Sequence, residues 1–129
     1  MSVANVWDAL KEFKKVVNAS KSIQAEFQAW RDRVIQFIVK GGENCYIKLQ
    51  NGKMIIEKGK KDNPELTFTA LDGNLVKFIT GQTDYTSLDI MGSVIFEGNE
   101  ADKNRFIAAI GLFISALLGE SDEFDEVEN

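Results

Sequence analysis

The chain of 129 residues contains no histidine, one cysteine and one proline. Without histidine it lacks the commonest general base and metal ligand at neutral pH. Cys45 alone cannot build a zinc site, close an internal disulfide or join a cysteine–histidine nucleophile. The carboxylates outside the last ten residues are scattered, with no HExxH or DxDxDG frame. Gly41-Gly42 also lacks the GxxxxGK[ST] frame of a phosphate loop. These absences lead us to expect no catalytic residues, no metal site and no cofactor, so the chain reads as a non-enzyme. No apolar run reaches the roughly 20 residues of a bilayer span. The opening MSVANVWDALKEF has no basic region followed by an apolar core, so no signal peptide is expected. A lone cysteine and no leader point to a reducing, cytoplasmic setting.

The charge is unevenly distributed. The formal net charge is -5, but Glu120, Asp122, Glu123, Asp125, Glu126 and Glu128 crowd the last ten residues. That leaves 14 acidic groups against all 15 basic ones in residues 1–119, a net of +1. A neutral body without a basic patch argues against nucleic acid as a partner. The tail, 120–129, has few apolar residues and is expected to be disordered. Residues 1–119 are expected to form a single domain, with N-terminal helices over 1–31 and the sheet and later helices over 33–119.

The most apolar stretch is Phe106–Leu118, FIAAIGLFISALL. At 100° per residue, Phe106, Ile107, Ile110, Phe113, Ile114, Leu117 and Leu118 share one arc. Ala108, Ala109, Gly111, Leu112, Ser115 and Ala116 lie opposite. The bulky arc belongs over a sheet. The small-residue face permits close backbone approach, which points to a neighbour there: either the N-terminal helices or a second copy of the chain.

Elsewhere the periods are distinct. Val3, Val6, Trp7, Leu10, Phe13 and Val17 repeat at helical spacing, and a second helix is expected over 22–31. VIQFIV (34–39), CYIKLQ (45–50), KMIIEK (53–58) and ELTFTA (65–70) read as strands, with Asn51-Gly52 as a type I′ hairpin turn. Asp72 reads as the N-cap of a helix that stops at Gly81. A short helix over 84–90 and the strand SVIFEG (93–98) follow. Asn99 reads as the cap of a last helix ending at Gly119. A meander of strands followed by helices suggests an α+β fold.

From about Arg33 to Phe113 the sequence resembles the sterol carrier protein type two family. The hairpin YIKLQNGKMIIEKG, the proline-started strand PELTFTA, the segment LDGNLVKFITG and the run MGSVIFEGN carry the likeness. Ser93 stands where that family often has a lysine. The resemblance implies a five-stranded, mostly antiparallel sheet with helices on one face and an apolar tunnel between the layers. It also implies a carrier that binds and transfers a fatty acid, fatty acyl group or other lipid. Some relatives are appended to enzymes or serve as dimer-forming modules. The candidate ligand wall comprises Leu75, Phe78 and Ile79, then Met91, Ile95 and Phe96, and Phe106, Ile110, Phe113 and Leu117 of the last helix. Ordinary filled core is the competing reading of each. Lys103 and Arg105 are candidate headgroup cations. The lysines at 11, 14, 15, 58, 60 and 61 could meet a membrane surface transiently. The alternative function is a homodimeric accessory module with a filled core, paired through the last helix and supporting a lipid-metabolism enzyme.

Overall fold

The periodicities resolve into five helices and five strands in the computed structural model, which describes residues 3–30 and 32–122, with side chains as far as Ala116. In chain order these are α1 (Val6–Ala19), α2 (Lys21–Ala29), β1 (Arg33–Lys40), β2 (Cys45–Gln50) and β3 (Lys53–Lys58). Then come β4 (Leu66–Leu71), α3 (Asp72–Thr80), α4 (Tyr85–Ile90), β5 (Val94–Gly98) and α5 (Glu100–Asp122). The sheet runs β3-β2-β1-β4-β5. Three of its four pairings are antiparallel, and the one between β1 and β4 is parallel. The fold is α+β, as expected.

Local chemistry places the elements. Asn51 and Gly52 take φ of 53° and 82°, which matches the twist of the β2–β3 hairpin. The side chains of Asn5, Ser20, Asp84 and Asn99 accept backbone N–H bonds at the starts of α1, α2, α4 and α5, each satisfying a donor the helix cannot. Asp72 departs from its expected role. It is the first residue of α3 and makes no cap bond within that helix. Its Oδ1 instead accepts the Val6 N–H at 2.9 Å, tying the start of α1 to the end of β4. The last helix also runs beyond Gly119 to Asp122. One glycine costs a helix only about 1 kcal/mol, and no proline follows. From residue 123 onward the expected tail lies outside the described residues, as does Arg31.

Alternation assigns the faces of the sheet. Ile35, Phe37, Val39, Cys45, Ile47, Leu49, Leu66, Phe68 and Ala70 are buried beneath the helices. Phe13 of α1 stacks on Phe113 of α5 at 4.8 Å between ring centroids, so these two helices cross over the core. At the other end of α5, Asp102 accepts from Trp30 Nε1 at 2.9 Å and pairs with Arg33 at 3.2 Å. This carboxylate joins the end of α2, the start of β1 and the start of α5.

Gln36 sits on the opposite face of the sheet, yet it is buried. Its Nε2 donates to the carbonyls of Cys45 and Gly59 at 3.0 Å each, and its Oε1 accepts the Lys61 N–H at 2.8 Å. One side chain thus pins the segment after β3 across the sheet. Gln36→Met keeps the shape but strands these partners, and each buried polar group left unsatisfied costs about 1–3 kcal/mol. Urea unfolding should therefore show the variant less stable by about that amount, with the far-UV circular dichroism unchanged.

Candidate functional site

The space between sheet and helices is organised around aromatic rings. Phe68, inward-facing on the interior strand β4, lies 5.8 Å from Phe37, 5.1 Å from Phe78 and 6.1 Å from Tyr85, centroid to centroid. It is also 5.3 Å from Phe96 and 5.7 Å from Phe106. Phe106 in turn lies 6.0 Å from Phe13 and 6.2 Å from both Phe37 and Phe78. Most of these pairs are tilted rather than flush, as ring quadrupoles prefer. The result is a continuous apolar layer with strands below and α1, α3, α4 and α5 above.

The sequence-derived wall divides on inspection. Leu75, Phe78, Ile79, Phe106, Ile110 and Phe113 are buried in or beside this layer, and Phe96 is half-buried against it. Met91 and Ile95 are not part of it; they are 74% and 53% exposed. Ile95 pairs with Thr69 in the β4–β5 register, and alternation sends it outward while Val94 and Phe96 turn inward. Met91 caps the C-terminus of α4, beyond the buried Tyr85 and Leu88. The side chain of Leu117 lies outside the described residues. Sequence reasoning missed Phe13, Phe37, Phe68 and Tyr85 as members of the layer. Their signal was present for the strands: each phenylalanine occupies an inward position of an alternating segment.

Polar groups border the layer. Lys103 pairs with Glu100 at 2.8 Å, and Arg105 is exposed. Over α1, an open groove of about 420 Å³ is floored by Trp7 and Ile56 and rimmed by Lys11, Lys14, Lys15 and Asn18. Lys58 lies 5.2 Å from the Trp7 ring centroid. The α5 face that was expected to have a neighbour is partly covered. Ala109 is buried, and Ala108 and Ala109 line a narrow groove with Phe27 of α2. A Cβ on Gly111 would meet nothing within 4 Å, and Leu112 is 40% exposed. The N-terminal helices therefore do not cover this helix at Gly111. Among the described residues no group of three or more acidic, cysteine or histidine side chains could hold a metal ion. No described helix is long and apolar enough to cross a membrane.

Cys45 is buried. Burial pushes its thiol pKa from 9.0 up to about 12, with Asp72 and Glu43 adding to the rise and Lys58 opposing it. The folded state therefore holds the neutral form. Below pH 9 both folded and unfolded thiols are protonated and nothing is gained or lost. Between pH 9 and 12 only the unfolded thiol releases its proton, so stability falls as pH rises, by up to about 1.4 kcal/mol per pH unit. Urea melts at pH 8 and pH 10 should show wild type losing stability relative to Cys45→Ala. Alkylation of native protein at pH 8 should be slow until denaturant is added.

The family model described as the SCP-2 sterol transfer family matches residues 10–108. No curated protein sequence matches the chain. Among solved structures, sterol carrier protein domain 2 of Helicoverpa armigera superposes with a TM-score of 0.71 at 15% identity, covering 98% of this chain and 100% of that one. A protein described as UbiJ-SCP2, a ubiquinone synthesis protein, gives 0.67 at 16% identity and 88% coverage of each chain. The inverting sec-alkylsulfatase Pisa1 from Pseudomonas sp. gives 0.58 at 14% identity over 69% of this chain; the match spans only 14% of that larger enzyme.

Proposed function

Since the chain belongs to the SCP-2 sterol transfer family, we propose that it binds a single-chain apolar ligand between its sheet and helices and transfers it within the cytoplasm, without catalysing a reaction. The ligand class is a fatty acid, fatty acyl group or other lipid. The observation that carries this reading is the aromatic layer centred on Phe68 and Phe106. It is apolar throughout and bordered by Leu75, Phe78, Ile79, Ile110 and Phe113, which we assign as ligand-contacting residues together with Phe96. Leu117 belongs to the same arc of α5 and extends the assignment. The energetics are sufficient. Each buried methylene contributes about 0.8 kcal/mol, so roughly ten supply the 8.2 kcal/mol or so of a micromolar complex before immobilisation costs. The lysine-rimmed groove over α1 carries positive charge beside a half-buried apolar floor, which suits transient contact with anionic headgroups.

Lipid extraction of purified protein followed by mass spectrometry tests the proposal directly. A bound lipid is expected, along with saturable micromolar binding of a fluorescent fatty acid by delipidated protein. Ile110→Phe adds a ring to the layer and should weaken that binding at least tenfold. Its stability cost should stay within the roughly 1–3 kcal/mol of an overpacked core. Protein that emerges lipid-free and binds no fatty acid would overturn the reading.

A second reading is favoured by the exposed face at Ala108, Gly111, Leu112 and Ser115. In it the layer is filled core, and α5 pairs with α5 of another copy in an accessory module. Gly111→Leu separates the cases. In a monomer the change fills open space and improves helix propensity, raising stability by about 0.5–1 kcal/mol. In a dimer built on that face it forces the helices apart. Sedimentation equilibrium of both proteins at micromolar concentration gives the answer, and the carrier reading expects a monomer in each.

A further inference from the structure

Lys103 is a cation set against an apolar layer. Its ammonium lies 5.0 Å from the ring centroid of Tyr85 and 5.1 Å from that of Phe96, and its side chain is only 13% exposed. Both rings touch Phe68, so the charge stands one ring away from the centre of the layer. Aromatic faces stabilise such a cation without consuming its hydrogen-bond donors. An ammonium has three donors. Among the described residues the carboxylate paired with it is Glu100, one turn earlier on α5, at 2.8 Å.

That carboxylate is held loosely. The Glu100 side chain is 73% exposed, and exposed ion pairs of this spacing contribute little to stability. Asp89 adds negative potential from α4 without appearing among the ion pairs. Lys103 therefore carries a carboxylate that solvent and competing anions can exchange, beside two rings of the aromatic layer. A neutral headgroup has no charge with which to replace Glu100.

We infer that Lys103 is the headgroup anchor of the apolar site and that its ligand class is a long-chain carboxylate, with Glu100 holding the carboxylate position until the ligand displaces it. The inference rests on the lipid-binding reading above and adds the polar end to it. Phe96 and Tyr85 then serve twice, as walls for the first methylenes and as faces that fix the ammonium.

Equilibrium binding of radiolabelled palmitate and hexadecanol to delipidated protein tests this, because the two probes share a chain and differ in headgroup charge. Wild type is expected to prefer palmitate at least tenfold. Lys103→Met should lose about tenfold for palmitate and stay within twofold for hexadecanol. Glu100→Gln removes the resident competitor at an exposed position, so it should tighten palmitate severalfold and leave hexadecanol unchanged; it remains informative should Lys103→Met fail to fold. Hexadecyl phosphate separates a carboxylate site from a general anion site, and tighter binding of the phosphate would overturn the carboxylate assignment. Hexadecanol binding with no preference for palmitate, or equal losses of both probes in Lys103→Met, would overturn the anchor alone. If wild type binds neither probe, the lipid-binding reading falls and the anchor with it.

Discussion

The packing of rings around Phe68 holds the layers of this structure together. Phe68 sits on the strand that pairs in parallel with β1 and antiparallel with β5, and its ring meets five others. Those rings arrive from β1, α3, α4, β5 and α5, so each of these elements is positioned partly by how it accommodates one side chain. Ring pairs of this kind add about 0.5–1.5 kcal/mol beyond their area burial. Aromatic packing also tolerates the small rotations by which a flat ring exchanges one apolar neighbour for another. A layer of this composition can act as core and as a surface for a methylene chain.

The elements were largely legible from local patterns because their signals are short-range. Asn51-Gly52 fixes a hairpin through backbone geometry alone, and the alternation of Leu66, Phe68 and Ala70 fixes which face of β4 is buried. The fold of the family followed from the order of these signals. What escaped was set by tertiary context. Asp72 has the chemistry of a cap, but the Val6 N–H, 66 residues away, claims its oxygen. Ile95 looked like wall until the register with Thr69 turned it outward. No local signal singles out Gln36, whose burial depends on the segment from Gly59 to Lys61 folding over it. The α5 face around Gly111 was read as a packing surface, yet within the chain it faces open space.

Charge is placed with similar economy. The Asp102 carboxylate gathers Trp30 and Arg33 at one corner, where α2, β1 and α5 meet. Lys103, the very next residue, points instead toward Tyr85 and Phe96. The start of α5 therefore has two charged positions with different work, one fastening the helix to the chain's first half and the other looking into the aromatic layer. Among the described residues no charged side chain is fully buried, so the interior holds no charge that would need compensation.

The parallel pairing inside the sheet also imposes an order on how the chain reaches its native state. The β2–β3 hairpin joins residues a few positions apart and can close on a microsecond scale. The β1–β4 ladder joins Ile35 to Leu66 and Lys40 to Leu71, so it must first close a loop that holds the whole hairpin. The ring from α5 comes later still: Phe106 meets Phe37 across 69 residues. Contacts of such separation slow folding. During synthesis the β1 and β4 phenylalanines therefore lack the cover of Phe106 until the last helix leaves the ribosome, and the part of the apolar surface left open is, for that interval, a site where a chaperone or another nascent chain can attach.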